Sequence, residues 1–232
     1  MVRCVTWNVL TDHYLDYGDY SHVPQQLLQR GARLPLVLDV VANLNADIIG
    51  IQEADFDLVT ALEATNQWQV HWSPKDGDEP DGCLTLVKHG IVISDFWSRF
   101  YSDGSGHVAQ SVTVGGLPFV NTHIMWPPDT HGSVQAEELL EWLGRKKPAV
   151  IMTDCNDRPH GPVRAAFDEA GFVNTCGFMP TAFVNGKLAS LDLLTVRGAR
   201  AKHIETDFEP TRIPNTTCPS DHIPVVANVE TN

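Results

Sequence analysis

Five separate apolar runs in this chain end in a side chain that can bind a cation or move a proton. Asn8 follows VTW, Glu53 follows IIGIQ, and His123 follows FVNT. Asp154 and Asn156 close AVIMTDCN, and the pair Asp221-His222 stands just before IPVVANV. Short apolar runs bounded by turn residues read as buried strands. A buried polar end left without a partner costs about 1–3 kcal/mol. A fold that gathers these ends at one edge lets them satisfy one another and, in doing so, builds a site.

Between the runs lie helical patterns. Leu36, Val37, Val40, Val41 and Leu44 recur at helical spacing, with Pro35 suited to a first turn, and predict a helix over 34–44. A second helix is expected from Phe56, a third over SVQAEELLEWL with Gly144 at its end, and a fourth over 160–171. From Trp68 to Val120 strand follows strand, as WQVHW, CLTLV, GIVISDFW, HVAQSVTV and LPFVNTH, so the sheet structure is partly antiparallel. LDLLTV, KHIETDFE and IPVVANV read as closing strands. The economical architecture is an α/β sandwich of two packed mixed sheets with helices covering both, four layers in all. At 232 residues the chain is expected to be one domain over 1–232, since cores divide only beyond roughly 250 residues.

Hydrophobic residues at 43% and charged residues at 19% exclude disorder as a global description. No apolar run approaches the roughly 20 residues needed to span a bilayer, and MVRCVTWNVL is too short and strand-like for a signal peptide, so a cytoplasmic protein without a membrane partner is expected. The five cysteines, Cys4, Cys83, Cys155, Cys176 and Cys218, are scattered and never in a C-x-x-C pair, which points to reduced packing thiols rather than a disulfide framework or zinc knuckle. Asp and Glu exceed Lys and Arg by 29 to 16, a net charge of −13. Such a surface repels long nucleic acids. It leaves open phosphate chemistry through a metal: oxygen donors without a thiolate or multi-histidine cluster favour Mg²⁺ or Mn²⁺.

TWNVL, IIGIQEAD, NTHIMW, IMTDCND, SLDLLTV and CPSDHIPV together, in that order, resemble the endonuclease/exonuclease/phosphatase superfamily of metal-dependent phosphoesterases, with the look of its deadenylase, nocturnin and Angel branch. The resemblance implies a direct metal ligand in Glu53, with Asn8 close to the metal and Asp221 able to reach it. It implies that Asp154 orients or deprotonates the attacking water and that Asn156 holds a phosphate oxygen. His222 would contact the phosphoryl oxygen, with Asp192 fixing its tautomer, and His123 would be a second donor to the phosphate. Thr153 and Cys155 depart from the family pattern around Asp154 without removing a reacting group.

Arg158, two residues beyond Asn156, is a candidate phosphate clamp. His107 is a candidate phosphate or ribose contact, and Trp126 and Tyr14, with Tyr17 and Tyr20, a candidate aromatic rim for a base. Singly, each polar residue has a plainer explanation: Glu53 and Asp154 could cap the helices that follow them, and Ser220-Asp221 could be a simple turn. Their joint occurrence favours a phosphodiesterase acting on a nucleic-acid end or nucleotide. A small-molecule, terminal or cyclic phosphate phosphatase is the second reading. A binding module that has lost catalysis is disfavoured, because no reacting position is missing. No obligate protein partner is inferred.

Overall fold

The elements run β1 (Val2–Asn8), α1 (Leu34–Asn43), β2 (Ile48–Asp55), α2 (Phe56–Ala64), β3 (Trp68–Pro74), β4 (Asp81–Lys88), β5 (Ile93–Phe100), β6 (Val108–Val114), β7 (Leu117–His123), α3 (Ser133–Leu143), β8 (Ala149–Asp154), α4 (Pro162–Glu169), β9 (Val173–Asn174), β10 (Ala182–Val184), β11 (Lys187–Ala189), β12 (Asp192–Arg197), β13 (Ala201–Ile204) and β14 (Val225–Val229). The structure is a computed structural model and describes residues 1–231. One sheet has the order β13-β14-β1-β2-β4-β3 and the other β5-β6-β7-β8-β12-β9. β1 pairs in parallel with β2, and β7 with β8; the other ladders within the two sheets are antiparallel.

The continuous apolar runs follow from this layering, because adjacent residues of a strand point to opposite faces. Ile48 packs between the sheets with Val112, Phe119, Val150 and Met152, whereas Ile49 turns outward onto α1 and α2 beside Val41, Leu58 and Leu62. In the second sheet Val150 faces inward, while Ile151 meets Leu139, Leu140 and Phe167 of α3 and α4. Helix, sheet, sheet and helix form the four layers expected. The five cysteines are unpaired, four of them buried. No helix among the described residues is long and apolar enough to cross a membrane.

Toward one end the inter-sheet layer becomes polar. Gln52 donates from Nε2 to Asn121 Oδ1 (2.7 Å), and the Asn121 amide donates to the carbonyls of Ile51 and Leu84 (3.1 and 3.0 Å). Gly50 makes room for this contact, since a Cβ there would lie 3.1 Å from the Asn121 amide. Helix capping is assigned to residues other than the candidate ligands. Asp55 accepts from the Leu58 amide at the start of α2, and Asp157 accepts from the amides of Val163 and Arg164 at the start of α4. Glu53 and Asp154 are therefore not helix caps.

Three local expectations change. The fourth helix is shorter than 160–171, because Gly161 is extended and Gly171 lies in the left-handed region. The strand read in KHIETDFE ends at Ile204, where its pairing with β14 ends, and the following segment to His222 has no regular element. The small hairpin β10–β11 was not anticipated. Its signal is the dipeptide Asn185-Gly186, both residues at positive φ, as a two-residue hairpin turn requires.

Candidate active site

Strand register assembles the site. In the second sheet His123 lies beside Asp154 in the β7–β8 ladder, and Asp192 lies opposite Asp154 in the β8–β12 ladder. Three neighbouring strands thus present an imidazole and two carboxylates in one row. From the first sheet, β1 ends at Asn8, and β2 carries Glu53 at a bulge between Ile51 and Ala54. Glu53 has φ +57. A bulge re-aims a side chain at a cost in backbone energy, here about 1–3 kcal/mol.

Asn8 ties the two sheets together. Its Nδ2 donates to Glu53 Oε1 (2.8 Å) and to Asp154 Oδ2 (3.0 Å), while its Oδ1 accepts from the Leu10 amide (2.9 Å). The other oxygen of Glu53 accepts from the Thr11 amide (3.1 Å), and Asp154 Oδ1 accepts from the Asn156 amide (2.9 Å). Burial, then the charges of Asp221 and Asp81, push Glu53 from 4.5 up to about 7. Burial, opposed by His222 and aided by Asp192, lifts Asp154 from 3.8 to about 6.

His222 Nδ1 donates to Asp192 Oδ2 at 2.9 Å, and both residues are buried. Burial alone would depress this imidazole. The charges of Asp192 and Asp154, the Asp192 hydrogen bond and Asp221 outweigh it and hold His222 well above 6.5, so it is cationic at neutral pH. Its Nε2 faces the site, 3.8 Å from Asp154 Oδ2 and 3.9 Å from Asp221 Oδ1. The segment is secured by Ser220, whose hydroxyl donates to the Asn8 carbonyl (2.7 Å), and by the Trp7 indole, which donates to the His222 carbonyl (2.9 Å).

His123 is the opposite case. Burial, then Lys75, His107 and His222, hold it well below 6.5. Asn156, itself at φ +48, donates from Nδ2 both to the Ile124 carbonyl and to His123 Nε2, each at 2.9 Å. His123 Nε2 thus sits against the Asn156 amide and helps to orient it.

Asn8, Glu53, His123, Asp154, Asn156, Asp221 and His222 line a cavity of about 260 Å³ together with Tyr14, Tyr17 and Tyr20. Tyr14 bonds through its hydroxyl to Asp81 Oδ1 (2.9 Å) and Glu79, and Lys75 donates to it (3.2 Å). Tyr20 donates to Asp221 Oδ2 (2.9 Å). Three expected substrate contacts are not among the cavity's walls. Arg158 is exposed and paired with Asp129, Trp126 is 64% exposed, and His107 sits behind His123, its Nδ1 bonded to the His123 carbonyl (2.8 Å). Sequence reasoning missed the buried pair Lys75 and Asp81 (2.9 Å) and the buried Arg33, which bonds the carbonyls of Val9, Leu10 and Pro219 and so joins the chain after Asn8 to the chain before Asp221. Neither carries a local signal, since Lys75 and Asp81 lie in the charged stretch SPKDGDEPD and Arg33 follows Arg30 closely.

The donor set suits a hard divalent cation. Glu53, Asp154 and Asp221 bring carboxylate oxygens to the cavity beside Asn8, whose Nδ2 faces Glu53 and Asp154, and among the described residues no Lys or Arg lines the cavity to balance them. Among the described residues one group of His, Cys, Asp and Glu could hold a metal ion, Asp154, Asp192 and His222, with donor atoms within 4.8 Å of one another. Its His222–Asp192 half is already joined by a hydrogen bond of 2.9 Å.

By fold, the chain is similar to ANGEL2, a 2′,3′-cyclic phosphatase, with TM-score 0.81 and 16% identity over 98% of this chain and 94% of that one. It is similar to the human nocturnin catalytic domain with bound sulfate (TM-score 0.74, 18% identity, 100% and 93% covered) and to a Bacteroides thetaiotaomicron mannosyl-6-phosphatase (0.70, 14%, 99% and 100%). No curated protein matches it by sequence. Residues 5–222 match the Endonuclease/Exonuclease/phosphatase family, a span that begins inside β1 and ends on His222. With the charged His–Asp pair and the convergent carboxylates both inside that span, the chain belongs to this family of phosphoric ester hydrolases.

Proposed function

We propose that residues 1–232 form one catalytic domain, a Mg²⁺- or Mn²⁺-dependent phosphodiesterase that hydrolyses phosphodiester bonds at single-stranded RNA ends or in nucleotides. The observation that carries this reading is His222, held by Asp192 and lining one small cavity with Asp154, Asn8 and Glu53. A phosphodiester is anionic and repels hydroxide, so hydrolysis needs charge neutralisation, an in-line water and donors toward the pentacovalent transition state. A bound Mg²⁺ or Mn²⁺, held by Glu53 with Asn8 and Asp221, would neutralise phosphate charge and polarise the phosphoryl oxygen.

The chain's own residues do the rest. Asp154, ionised above about pH 6, orients the water and accepts its proton. His222 donates a charged hydrogen bond to a phosphoryl oxygen, and Asp192 keeps its Nδ1 protonated. Asn156, oriented by His123, holds a second phosphate oxygen. Tyr14, Tyr17 and Tyr20 offer aromatic surface to a base.

A specific observation favours a second reading, a phosphatase acting on a terminal or cyclic phosphate. The cavity walls carry no Lys or Arg, and two proteins of similar fold are described as a 2′,3′-cyclic phosphatase and a mannosyl-6-phosphatase. The deciding experiment runs wild type and His222→Ala in parallel on single-stranded RNA, RNA with 2′,3′-cyclic phosphate ends, abasic duplex DNA, NADPH and inositol phosphates. The expected result is metal-dependent turnover of single-stranded RNA ends, abolished by His222→Ala. Undiminished turnover in EDTA would sink the mechanism, and preference for abasic duplex would overturn the substrate assignment.

A further inference from the structure

An open sheet has two edges, and an edge strand with free backbone groups is a template on which another strand can pair. Of the four edges of the two six-stranded sheets, three are blunted. β13 is four residues long and carries the exposed Lys202, β9 has two residues, and β3 exposes only its last residue, Pro74. Shortness, a lysine and a proline without an N–H all discourage such pairing.

β5 lacks these protections. It runs for eight residues without Pro or Lys, and six of the eight are exposed. Its one bulge lies at the start, between Ile93 and Asp95, so Asp95 to Phe100 stay in regular antiparallel register with β6 and leave the other edge straight. Two large aromatic side chains on it, Phe96 and Phe100, are 41% and 51% exposed.

The charges of β5 complement a copy of themselves. Asp95 and Arg99 stand two residues to either side of Trp97, and alternation puts all three on one face. The Arg99 guanidinium lies over the rings of Trp97 and of Trp142 in α3, 5.3 and 5.6 Å from their centroids, which holds the cation in place. The ion pairs among the described residues include neither Asp95 nor Arg99. When two β5 strands pair antiparallel about Trp97, Asp95 of each copy falls opposite Arg99 of the other. Phe96 falls opposite Ser98 and becomes a diagonal neighbour of Phe96 and Phe100 of the second copy, a spacing that aromatic side chains bridge. Centring the pair on Asp95 or Arg99 instead would set like charges face to face, so the charges specify one register.

We propose that β5 is a homodimer interface: a second copy of this chain adds its own β5 antiparallel to the first, about a two-fold axis at Trp97, and joins the two sheets edge to edge. β5 lines no part of the catalytic cavity, so the interface stands or falls independently of the reaction.

The test is sedimentation equilibrium of the full chain at an ionic strength of about 0.15 M, where repulsion between two copies of net charge −13 is largely screened beyond about 8 Å. One pair of strands makes an interface at the small end of the range, so the expected dissociation constant is roughly 1–100 µM. Asp95→Arg and Arg99→Asp each set like charges opposite one another at both ends of the pairing, and each is expected to weaken the dimer at least about tenfold. An equal mixture of the two variants is expected to recover a dimer, since each supplies the sign the other lacks, and the Asp95→Arg/Arg99→Asp double variant is expected to return to within about threefold of wild type. Thermal unfolding of each variant shows that it is folded. A wild type that stays monomeric up to about 300 µM overturns the inference. So does a dimer that both single variants leave within about threefold of wild type, which would place the second copy on another surface. Single variants that weaken the dimer with no recovery in either the mixture or the double variant would overturn it as well.

Discussion

Asp192→Asn isolates the charge behind His222 with almost no change in shape. The wild-type pair is a 2.9 Å bond between two buried groups, and Asp192 is the leading influence raising the imidazole against its burial. An amide oxygen in its place still accepts the Nδ1 proton but carries no charge. Burial is then opposed only by Asp154 and Asp221, the imidazole holds its second proton less tightly, and a neutral ring with its proton on Nδ1 leaves Nε2 facing the cavity without one. What is lost is one charged donor to the phosphoryl oxygen. Removal of a single such donor costs about 10²–10³ in kcat, or about 2.7–4 kcal/mol, and an amide that instead turns its NH₂ toward Nδ1 imposes the wrong tautomer, which in serine proteases costs about 10⁴. The expected outcome is a kcat lower by about 10²–10⁴ with KM changed far less, since the interaction belongs to the transition state. The assay is steady-state hydrolysis of bis(4-nitrophenyl) phosphate at saturating Mg²⁺, with thermal unfolding measured alongside to show that the variant is folded. A kcat within about threefold of wild type would refute the assignment of His222 as a charged donor.

Glu53→Gln should separate metal binding from folding: wild type gains about 2.7 kcal/mol of stability from Mg²⁺ or Mn²⁺ at a hundred times Kd, and the variant should lose that gain without melting lower in EDTA, because burial already favours the neutral form of Glu53. Differential scanning calorimetry with and without metal reads both, and a retained metal shift would displace Glu53 from the site. The half-buried His107 faces His123, Lys75, Asp81 and Asp103; loss of water contact first, then Lys75, lowers it below 6.5. The unfolded chain therefore takes up a proton that the fold refuses, so stability falls as pH drops below 6.5, by up to about 1.4 kcal/mol per pH unit for this group. His107→Asn should remove that share of the slope in urea unfolding between pH 7.5 and 5.5 in EDTA, and identical slopes would contradict it. Arg158→Ala should leave kcat/KM within about twofold of wild type, because an exposed residue paired with Asp129 contributes little to a cavity it does not line; a larger loss would restore it as a phosphate clamp.

The four-layer architecture was legible because each central strand is buried on both faces, which only continuous runs such as those around Ile48–Ile51 and Val150–Met152 satisfy. Asn8, Glu53, Asp154 and His222 were legible as polar stops to those runs. The hairpin at Asn185-Gly186 carried a readable turn signal, whereas Lys75, Asp81 and Arg33 had none, since what makes them special is burial. Arg158 shows how little proximity along the chain says about the site, since it does not line the cavity. Its position follows Asn156 closely in sequence, but Asn156 turns inward at positive φ while Arg158 emerges onto the surface opposite Asp129.

The order and chemistry of the strand ends are properties of the sequence alone, because alternation, apolar runs and their polar stops are local. Which ends meet is decided by register: His123, Asp154 and Asp192 share a row only because β7, β8 and β12 pair as they do, and Glu53 joins them only through a bulge. The protonation of the two histidines is tertiary for the same reason. Both are buried imidazoles, and the one beside Asp192 is held charged while the one beside Lys75 and Asn156 is held neutral, since a pKa depends on the charges that folding brings within a few ångströms and not on the residue's neighbours along the chain.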